Sequence, residues 1–440
     1  MMALAAAYSF AQASRHVVLV TLDGLRPEFY LSDTFCMPTL HQLMKKGAYA
    51  KQVTGVFPTV TYPNHTTIIT GAVPARHGIY SNEPFEPEGI TGRWFWYADS
   101  IKVPTLFDAV HQRGLTSAAV FWPAQIGAKI DYNMPEIWNT KTYDRVESIK
   151  TVIQPASLWN EIEENATGKL TTDDLSEERF SLDENTTRIT GYLIRQYKPA
   201  FVALHLICTD DQQHAQGRGG EKVKLAVSNA DHCIGQLLEA IERAGIKDST
   251  TLIITGDHGF MDIHTTLFPN VWLTQKGFIN GKDWAAKFQS GRGSGFLRLN
   301  IAKLSKAEQQ ETLTKVRQLL NALPDTTRSR FRILERKELD KLGAYPDAAL
   351  AIVPNDGFSI GAAETGADTR PAGQKGTHGY LPDNPKLKTG FVAYGAGVHT
   401  GVVIPDMRLV DIAPLIAKLL GLEFNAPDGR LIPGIITSTF

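Results

Sequence analysis

Side chains that suit a metal ion are scattered along the chain, and they accompany one hydroxyl in a distinctive setting. The metal-type residues are Asp23, Asp210, His214, Asp257, His258 and His378. The hydroxyl belongs to Thr61, in the segment Thr61-Tyr62-Pro63-Asn64-His65. Carboxylate and imidazole ligands suit zinc and related divalent ions, and two such ions can clamp the attacking and leaving oxygens of a phosphoryl transfer. The set therefore favours a two-metal phosphoryl-transfer site.

Three of the acids follow apolar runs that read as buried strands. Asp23 follows residues 16–22, Asp210 comes just past residues 201–207, and Asp257 follows residues 251–256. In open α/β sheets, ligands bind in the crevice beyond the carboxyl ends of the strands. We therefore expect the three carboxylates to meet at one edge of a sheet.

The residues next to each histidine in the sequence indicate which histidines could bind a metal. His214 lies four residues after Asp210, which places both on one face of a helix or turn. Asp211 is a competing ligand, but the spacing favours Asp210. His258 directly follows Asp257, and glycines flank the segment around His378. Taken alone, each pattern also fits an ordinary surface pair or a loop histidine, so the prediction depends on their combination.

Thr61 is expected to lie at the start of a helix. Pro63 suits the first turn of a helix, and the unpaired N–H groups there favour an anion. A metal on the threonine oxygen would favour its alkoxide form. The alternative for Thr61 alone is a helix-capping threonine.

Alternating strand and helix patterns predict the elements that position these residues. The strand-like runs are 17–22, 117–122, 201–207, 252–256 and 390–395. Helix-like segments such as 103–114 and 409–420 occur between or after them. This alternation predicts an α/β fold with a central, mostly parallel sheet flanked by helices.

The pattern changes in two places. We predict a catalytic domain over 14–277 and 357–440, and a smaller inserted α+β cap over 278–356 with a helix at 305–323 and strands at 331–334 and 348–353. The acid-rich stretch 161–184 is expected to be a solvated excursion or short surface helices.

Bulk properties narrow the class of protein. The 440 residues carry a net charge of -1, with 43% hydrophobic and 21% charged residues, as in an ordinary globular enzyme. So small a charge argues against binding a nucleic-acid polymer through its phosphates. Cys36, Cys208 and Cys233 are too few for a disulfide framework, and we expect buried thiols with one pair at most.

The start of the chain predicts export. Residues 1–13 are apolar and end in Ala11-Gln12-Ala13, a small-residue pattern typical of a signal-peptide cleavage site. This predicts a periplasmic or secreted protein. No other stretch approaches the ~20 apolar residues that span a bilayer.

Several motifs together resemble the alkaline phosphatase superfamily and, within it, the nucleotide pyrophosphatase/phosphodiesterase family. The matching segments are 19–26, 57–65, 70–82, Asp210-x-x-x-His214, 256–259 and 376–380. The resemblance implies an alkaline-phosphatase-like fold with two zinc ions, although another divalent ion would suit the same ligands. It assigns one ion to Asp210, His214 and His378, and the other to Asp23, Asp257, His258 and the Thr61 oxygen.

The resemblance also implies roles around the reacting phosphorus. Thr61 would attack it and form a phosphothreonine that water then hydrolyses, and Asn82 would bind a non-bridging oxygen. Tyr62 matches an aromatic that stacks on a nucleobase, and we expect it to reach the pocket. Trp122 lies in a segment that resembles another pocket-forming part of the family, with core packing as its alternative. Because no arginine adjoins Thr61 or Asn82 in the sequence, we expect diesters to be preferred over monoesters.

The predicted function is a two-zinc phosphodiesterase or nucleotide pyrophosphatase that acts on a small, nucleotide-like phosphodiester or phosphoanhydride. One alternative is a phosphonoacetate hydrolase-like enzyme that cleaves a C–P bond and binds the substrate carboxylate through lysines such as Lys102 and Lys129. A non-enzymatic alternative is an exported protein that binds phosphate esters without turnover.

Overall fold

The computed structural model describes residues 15–437, so the predicted export segment 1–13 lies outside the described residues. The strands of the described chain are β1 (His16–Leu22), β2 (Ala48–Thr54), β3 (Ser117–Val120), β4 (Tyr132–Met134), β5 (Phe201–Leu206), β6 (Thr250–Thr255), β7 (Met261–Leu267), β8 (Ile279–Asn280), β9 (Asp283–Trp284), β10 (Ala286–Ser290), β11 (Gly295–Leu299), β12 (Phe331–Glu335), β13 (Leu350–Pro354), β14 (Gly357–Ile360), β15 (Thr369–Pro371), β16 (Gly376–Thr377), β17 (Thr389–Gly395), β18 (Val402–Ile404) and β19 (Met407–Arg408).

The α-helices of the same residues are α1 (Glu28–Leu31), α2 (Pro38–Lys46), α3 (Thr61–Thr70), α4 (Pro74–His77), α5 (Leu106–Gln112), α6 (Val146–Lys150), α7 (Leu158–Ile162), α8 (Ser181–Tyr197), α9 (Cys208–Gln216), α10 (Glu221–Arg243), α11 (Pro269–Gln275), α12 (Lys306–Asn321), α13 (Asp325–Arg328), α14 (Arg336–Lys341) and α15 (Ile412–Leu419). Short 3₁₀ helices or a π-turn occur at Ala98–Ser100, Glu163–Thr167, Thr172–Leu175, Lys247–Ser249, Pro385–Leu387 and Leu409–Asp411.

The central sheet has the strand order β18-β2-β17-β6-β1-β5-β3-β4, with β19 also paired to β2. Strand β1 pairs in parallel with both β5 and β6, whereas β17 runs antiparallel to β6 and β2. The sheet is therefore mixed, with parallel strands at its centre, and the α/β prediction is confirmed. Strands buried on both faces produce the nearly continuous apolar runs seen in the sequence.

Helices cover both faces of this sheet. Alternate residues of β1 face opposite sides, as the strand period of two requires. Val18 and Val20 belong to the cluster packed under α8 and α10, whereas Val17 and Leu19 belong to the cluster under α15. This double cover fixes the sheet and, with it, the edge at which β1, β5 and β6 end.

A second, antiparallel sheet with the order β10-β11-β13-β12 lies in the region predicted as an insertion. The predicted helix is α12, and its start is capped by Ser305 and Glu308 in a reciprocal pair of hydrogen bonds. The apolar cluster of this sheet also includes Leu267, Trp272 and Ile360, which lie outside the bounds 278–356. A third sheet, β14-β7-β15 with β16 on β7, joins this region to the main one.

The cysteines differ in part from the expectation. Cys208 and Cys233 are buried, but Cys36 is exposed, because it lies in the loop before α2. All three are free thiols. Among residues 15–437, no helix combines the length and the apolar character that crossing a bilayer requires.

Candidate active site

The three strand-terminal acids meet at one edge of the central sheet. Asp23 follows β1, Asp257 follows β6, and Asp210 lies in the first turn of α9, directly after β5. Because β5, β1 and β6 are adjacent and parallel, their carboxyl ends lie side by side. The topology therefore brings together carboxylates that are far apart in the sequence.

The three histidines lie against these carboxylates. His258 Nε2 is 3.3 Å from Asp23 Oδ1 and 3.1 Å from Asp257 Oδ2. His214 Nε2 is 3.1 Å from Asp210 Oδ2, and His378 Nε2 is 3.6 Å from Asp210 Oδ1. The His258 and His378 rings stack with centroids 3.7 Å apart. All six predicted ligands thus form one cluster, with Asp210 between its two ends.

Backbone carbonyls orient the three imidazoles. Each ring donates its Nδ1–H to a carbonyl oxygen: His214 to Gly376 at 2.9 Å, His258 to Gly259 at 3.1 Å and His378 to Thr59 at 3.0 Å. This contact leaves Nε2 with its lone pair directed at the carboxylates, the orientation found in metal-binding histidines. Burial lowers the pKa of His258 to about 4 and the pKa of His378 well below its usual value, so both are neutral at pH 7.

The carboxylates are crowded in a buried setting. Burial and the neighbouring Asp257 raise the pKa of Asp23 well above its usual value, and burial raises the pKa of Asp257 to about 8. Burial also opposes ionisation of Asp210, but His214 and His378 outweigh it and hold the pKa of that carboxyl below its usual range. A nearby cation would favour the charged form of all three groups.

The residues present fit a pair of divalent cations. Four buried ligand atoms have no hydrogen-bond partner: Asp23 Oδ1, Asp210 Oδ1, Asp257 Oδ2 and His258 Nε2. Buried polar atoms are rarely left unpaired, and oxygen and nitrogen donors of this type suit zinc. Two groups have ligand atoms within 4.8 Å of one another, namely Asp210 with His214 and His378, and Asp23 with Asp210 and His258. The first group has the predicted membership, whereas the second contains Asp210 in place of Asp257.

Thr61 faces the same space. Helix α3 begins at Thr61, and extended backbone at Val60 precedes it, with no side chain capping the helix. The Asn82 Oδ1 atom accepts the Tyr62 backbone N–H at 2.9 Å. This bond turns the Asn82 amide so that its NH₂ group remains as a donor. Thr61 and Asn82 both line the cleft that contains Asp23, Asp210 and His378.

Other histidines support the cluster from behind. His205 Nε2 is 3.1 Å from Asp23 Oδ2, on the side opposite His258. His65 contacts the Thr21 hydroxyl at 2.8 Å and the Thr61 carbonyl at 2.9 Å. These contacts give the two histidines structural roles, as the sequence suggests for histidines within a strand or helix.

The cleft has a volume of about 620 Å³ and contains residues that the motifs do not indicate. Its lining includes two tryptophans, two arginines and a group of acids: Trp94, Trp138, Arg145, Arg292, Glu83, Glu136, Asp173, Glu177, Glu178 and Asp211. Part of the acid-rich stretch predicted as a solvated excursion therefore faces the cleft. The Arg292 Nη1 atom lies 2.9 Å from His214 Nε2. The cleft therefore contains an arginine beside the metal-type cluster, although none adjoins Thr61 in the sequence.

The two predicted stacking aromatics lie deeper than the cleft. Tyr62 is buried, donates its hydroxyl to Glu136 Oε2 at 3.0 Å and contacts Trp94 edge-on. Trp122 is buried against His65 in the core beneath the sheet. Neither is among the residues that line the cleft, whereas Trp94 and Trp138 are, with their rings edge-on at 4.9 Å. Both of these tryptophans lie in irregular segments. The only feature of the sequence that could have indicated them is a large aromatic residue in a loop.

Comparisons with known proteins agree with this geometry. The family model described as type I phosphodiesterase / nucleotide pyrophosphatase matches residues 17–381. Ectonucleotide pyrophosphatase/phosphodiesterase family member 1 of Rattus norvegicus is 27% identical over 433 residues, which are 94% of this chain and 41% of that protein. A venom phosphodiesterase of Macrovipera lebetinus is 23% identical over 428 residues, which are 92% of this chain and 43% of that protein. The chain thus spans less than half the length of these relatives.

Solved structures show the same fold. Human ectonucleotide pyrophosphatase/phosphodiesterase 5 superposes with a TM-score of 0.69 at 19% identity, covering 94% of this chain and 97% of the human one. The family match covers most of the chain and includes each of the six metal-type residues and Thr61. The chain therefore belongs to the type I phosphodiesterase / nucleotide pyrophosphatase family.

Proposed function

We propose that this protein hydrolyses phosphodiester or phosphoanhydride bonds of small, nucleotide-like molecules through a phosphorylated Thr61. One observation carries the proposal: Thr61, at the start of α3, lines the same cleft as Asn82 and four of the metal-type residues, namely Asp23, Asp210, His214 and His378. A nucleophile, a neutral donor and a metal-binding cluster are the parts that phosphoryl transfer requires.

The chain's own groups perform the steps around phosphorus. Thr61 Oγ1 forms a bond to phosphorus while the bond to the leaving oxygen breaks, and water later cleaves the phosphothreonine. The Thr61 backbone N–H, at the start of α3, and the Asn82 amide donate to a non-bridging oxygen as charge develops on it. Two zinc ions held by the six ligands and Thr61 would neutralise charge on the attacking and leaving oxygens.

The lining of the cleft supports a small organic substrate. Trp94 and Trp138 offer aromatic surface for a base, and stacking tolerates different bases at roughly 1–3 kcal/mol each. A solved structure of murine ectonucleotide pyrophosphatase/phosphodiesterase 5 is an inactive threonine-to-alanine variant in complex with AMP. A nucleotide in this cleft is consistent with that complex. Several relatives are venom phosphodiesterases, which agrees with export of this protein.

No observation favours the phosphonoacetate hydrolase alternative. Lys102 and Lys129 are exposed, and no lysine is among the described residues that line the cleft. The lysines that this alternative invokes for the substrate carboxylate are therefore absent from the described lining of the cleft.

Replacing the nucleophile tests the proposal. Thr61→Ala should abolish release of nitrophenol from a nitrophenyl ester of a nucleotide while zinc content, measured by atomic emission, remains unchanged. Thr61→Ser should keep part of the rate because it retains a hydroxyl. Thr66→Ala is the matched control, since Thr66 lies on the same helix with its hydroxyl unpaired in the core. Full turnover by Thr61→Ala would refute the proposed nucleophile.

Trapping and chelation test the remaining parts. Rapid acid quenching during turnover of the nitrophenyl nucleotide ester should give a peptide containing Thr61 that is heavier by one nucleotidyl group, because the nucleoside remains on phosphorus when nitrophenol leaves. Chelation should stop turnover, and added zinc should restore it. A protein that only binds phosphate esters would show neither the adduct nor the turnover.

A further inference from the structure

Arg292 is the one arginine of the cleft that contacts the metal-type cluster. Its guanidinium Nη1 atom lies 2.9 Å from His214 Nε2. It comes from the tip of the β10–β11 hairpin, in the second sheet, and not from any of the strands that carry the acids. The second sheet thus supplies a positive charge directly to a site that the central sheet builds.

The hairpin tip is held in place by tight packing. Arg292 has a φ of 62°, a left-handed conformation that is uncommon for a non-glycine residue. Its carbonyl accepts the Ile360 N–H at 2.7 Å, and its own N–H donates to Ser290 Oγ at 3.2 Å. A Cβ atom at Gly293 would lie 2.6 Å from the His378 carbonyl oxygen, so the tip packs backbone to backbone on the loop of that ligand.

The same hairpin borders Asn82. Gln289 on β10 donates to the Glu83 carbonyl at 3.0 Å, which ties the hairpin to the segment that carries Asn82. Asn82 and Arg292 both line the cleft. His214 Nε2 cannot accept the Arg292 N–H and bind a metal at once, so in the loaded enzyme this guanidinium is free to donate to a substrate oxygen.

We propose that Arg292 is a specificity-determining residue that donates to a non-bridging oxygen of the reacting phosphoryl group, together with Asn82. This inference rests on the proposed function and widens the range of substrates expected for it. A phosphomonoester carries a second negative charge on the group that Arg292 faces, and charged hydrogen bonds are about twice as strong as neutral ones. The enzyme therefore accepts phosphomonoesters as well as diesters, contrary to the preference expected from the sequence.

The acidic residues of the cleft limit where a substrate can carry its second negative charge. Asp211, Glu177 and Glu178 all line the cleft beside the metal-type cluster. Such a lining repels an extended polyphosphate. Arg292 consequently acts at the reacting phosphoryl group. There, hydrolysis of a monoester forms the Thr61 Oγ1–phosphorus bond and breaks the bond to the alcohol, which leaves with the threonine proton. Water then cleaves the phosphothreonine, which yields inorganic phosphate and restores the Thr61 hydroxyl.

Binding measurements on zinc-loaded Thr61→Ala protein test this role without turnover. Adding Arg292→Gln should weaken the binding of inorganic phosphate at pH 8 by about tenfold or more, the effect of one charged hydrogen bond. Binding of bis(4-nitrophenyl) phosphate, which carries one charge, should change by less than about threefold. Arg292→Lys should recover part of the phosphate affinity. Arg93→Gln, an exposed arginine paired with Glu86, is the matched control.

Turnover with Thr61 intact gives the second readout. Arg292→Gln should lower kcat/KM for 4-nitrophenyl phosphate at least about tenfold more than for the diester. An equal loss for both substrates, no loss for either, or a fall in zinc content that accounts for the change would overturn the role of Arg292. Those results would leave the Thr61 tests untouched, so failure of this inference is distinguishable from failure of the proposed function.

Discussion

Glu136 is expected to impose a pH-dependent cost on folding, which Glu136→Gln should remove. The side chain is buried in the lining of the cleft, and burial raises its pKa from 4.5 to about 7. Between these values the folded protein holds a proton that the unfolded chain releases. The free energy of unfolding contributed by this group therefore falls as the pH rises from about 4.5 to 7.

The size of this effect follows from the shift in pKa. Each unit corresponds to 1.36 kcal/mol, so the full shift gives an upper limit of about 3 kcal/mol. Relaxation of the cleft and solvent near its lining reduce the expected value to roughly 1–2 kcal/mol. Glutamine keeps an oxygen acceptor for the Tyr62 hydroxyl and cannot ionise, so the variant should lose the dependence without losing this contact.

Urea unfolding of the chelated proteins at pH 5 and pH 8 measures the effect. The stability of Glu136→Gln relative to wild type should increase by about 1–2 kcal/mol between the two pH values. Titration of the metal-type carboxylates is common to both proteins and cancels in this difference, except for the contribution that Glu136 makes to the raised pKa of Asp23. Glu311→Gln is the control, since that side chain is exposed and pairs only with Lys315. Parallel pH profiles for wild type and Glu136→Gln would refute the buried, protonated state of Glu136.

Three further changes test the site. Asp210→Asn should reduce zinc content at both positions, because Asp210 belongs to both ligand groups. Asp211→Asn should leave the zinc content near the wild-type value. The reverse result would show that the ligand is Asp211. Asn82→Ala should lower kcat by about 10²-fold, the cost of one oxyanion donor, with little change in zinc content; an unchanged kcat would remove Asn82 from the reaction. Trp138→Ala should raise KM for a nucleotide diester by about tenfold, because stacking on the base is lost. The KM for a methyl nitrophenyl diester, which has no base, should not change. Equal effects on both substrates would contradict stacking.

The positions of the metal-type residues were predictable because each acid ends a strand. Asp23, Asp210 and Asp257 follow apolar runs, and the carboxyl ends of adjacent parallel strands must meet. Their local spacing to His214 and His258 then places those imidazoles. How the ligands divide between two ions was not predictable from spacing, and Asp210 indeed reaches both groups.

The other residues of the cleft were harder to predict from the sequence, because their positions depend on loops and on tertiary packing. Tyr62 adjoins Thr61 in the chain, but successive residues of a helix point about 100° apart, so the ring of Tyr62 turns into the core. Trp94 and Trp138 come from irregular segments, and Arg292 comes from a hairpin more than 200 residues after Thr61. No periodicity connects these residues to the nucleophile.

The metal-type acids and the other cleft residues come from different parts of the fold, and this difference has a functional consequence. Asp23, Asp210 and Asp257 lie at the ends of strands that helices cover on both faces, whereas the other residues that line the cleft lie on loops, on the acid-rich stretch and on the second sheet's hairpin. Under the proposed function, substitutions at Trp138 or Arg292 should therefore change which phosphate ester is bound without moving these strand ends. Conversely, a change that shifts β1 against β5 or β6 displaces at least two carboxylates at once, and every substrate should lose turnover together.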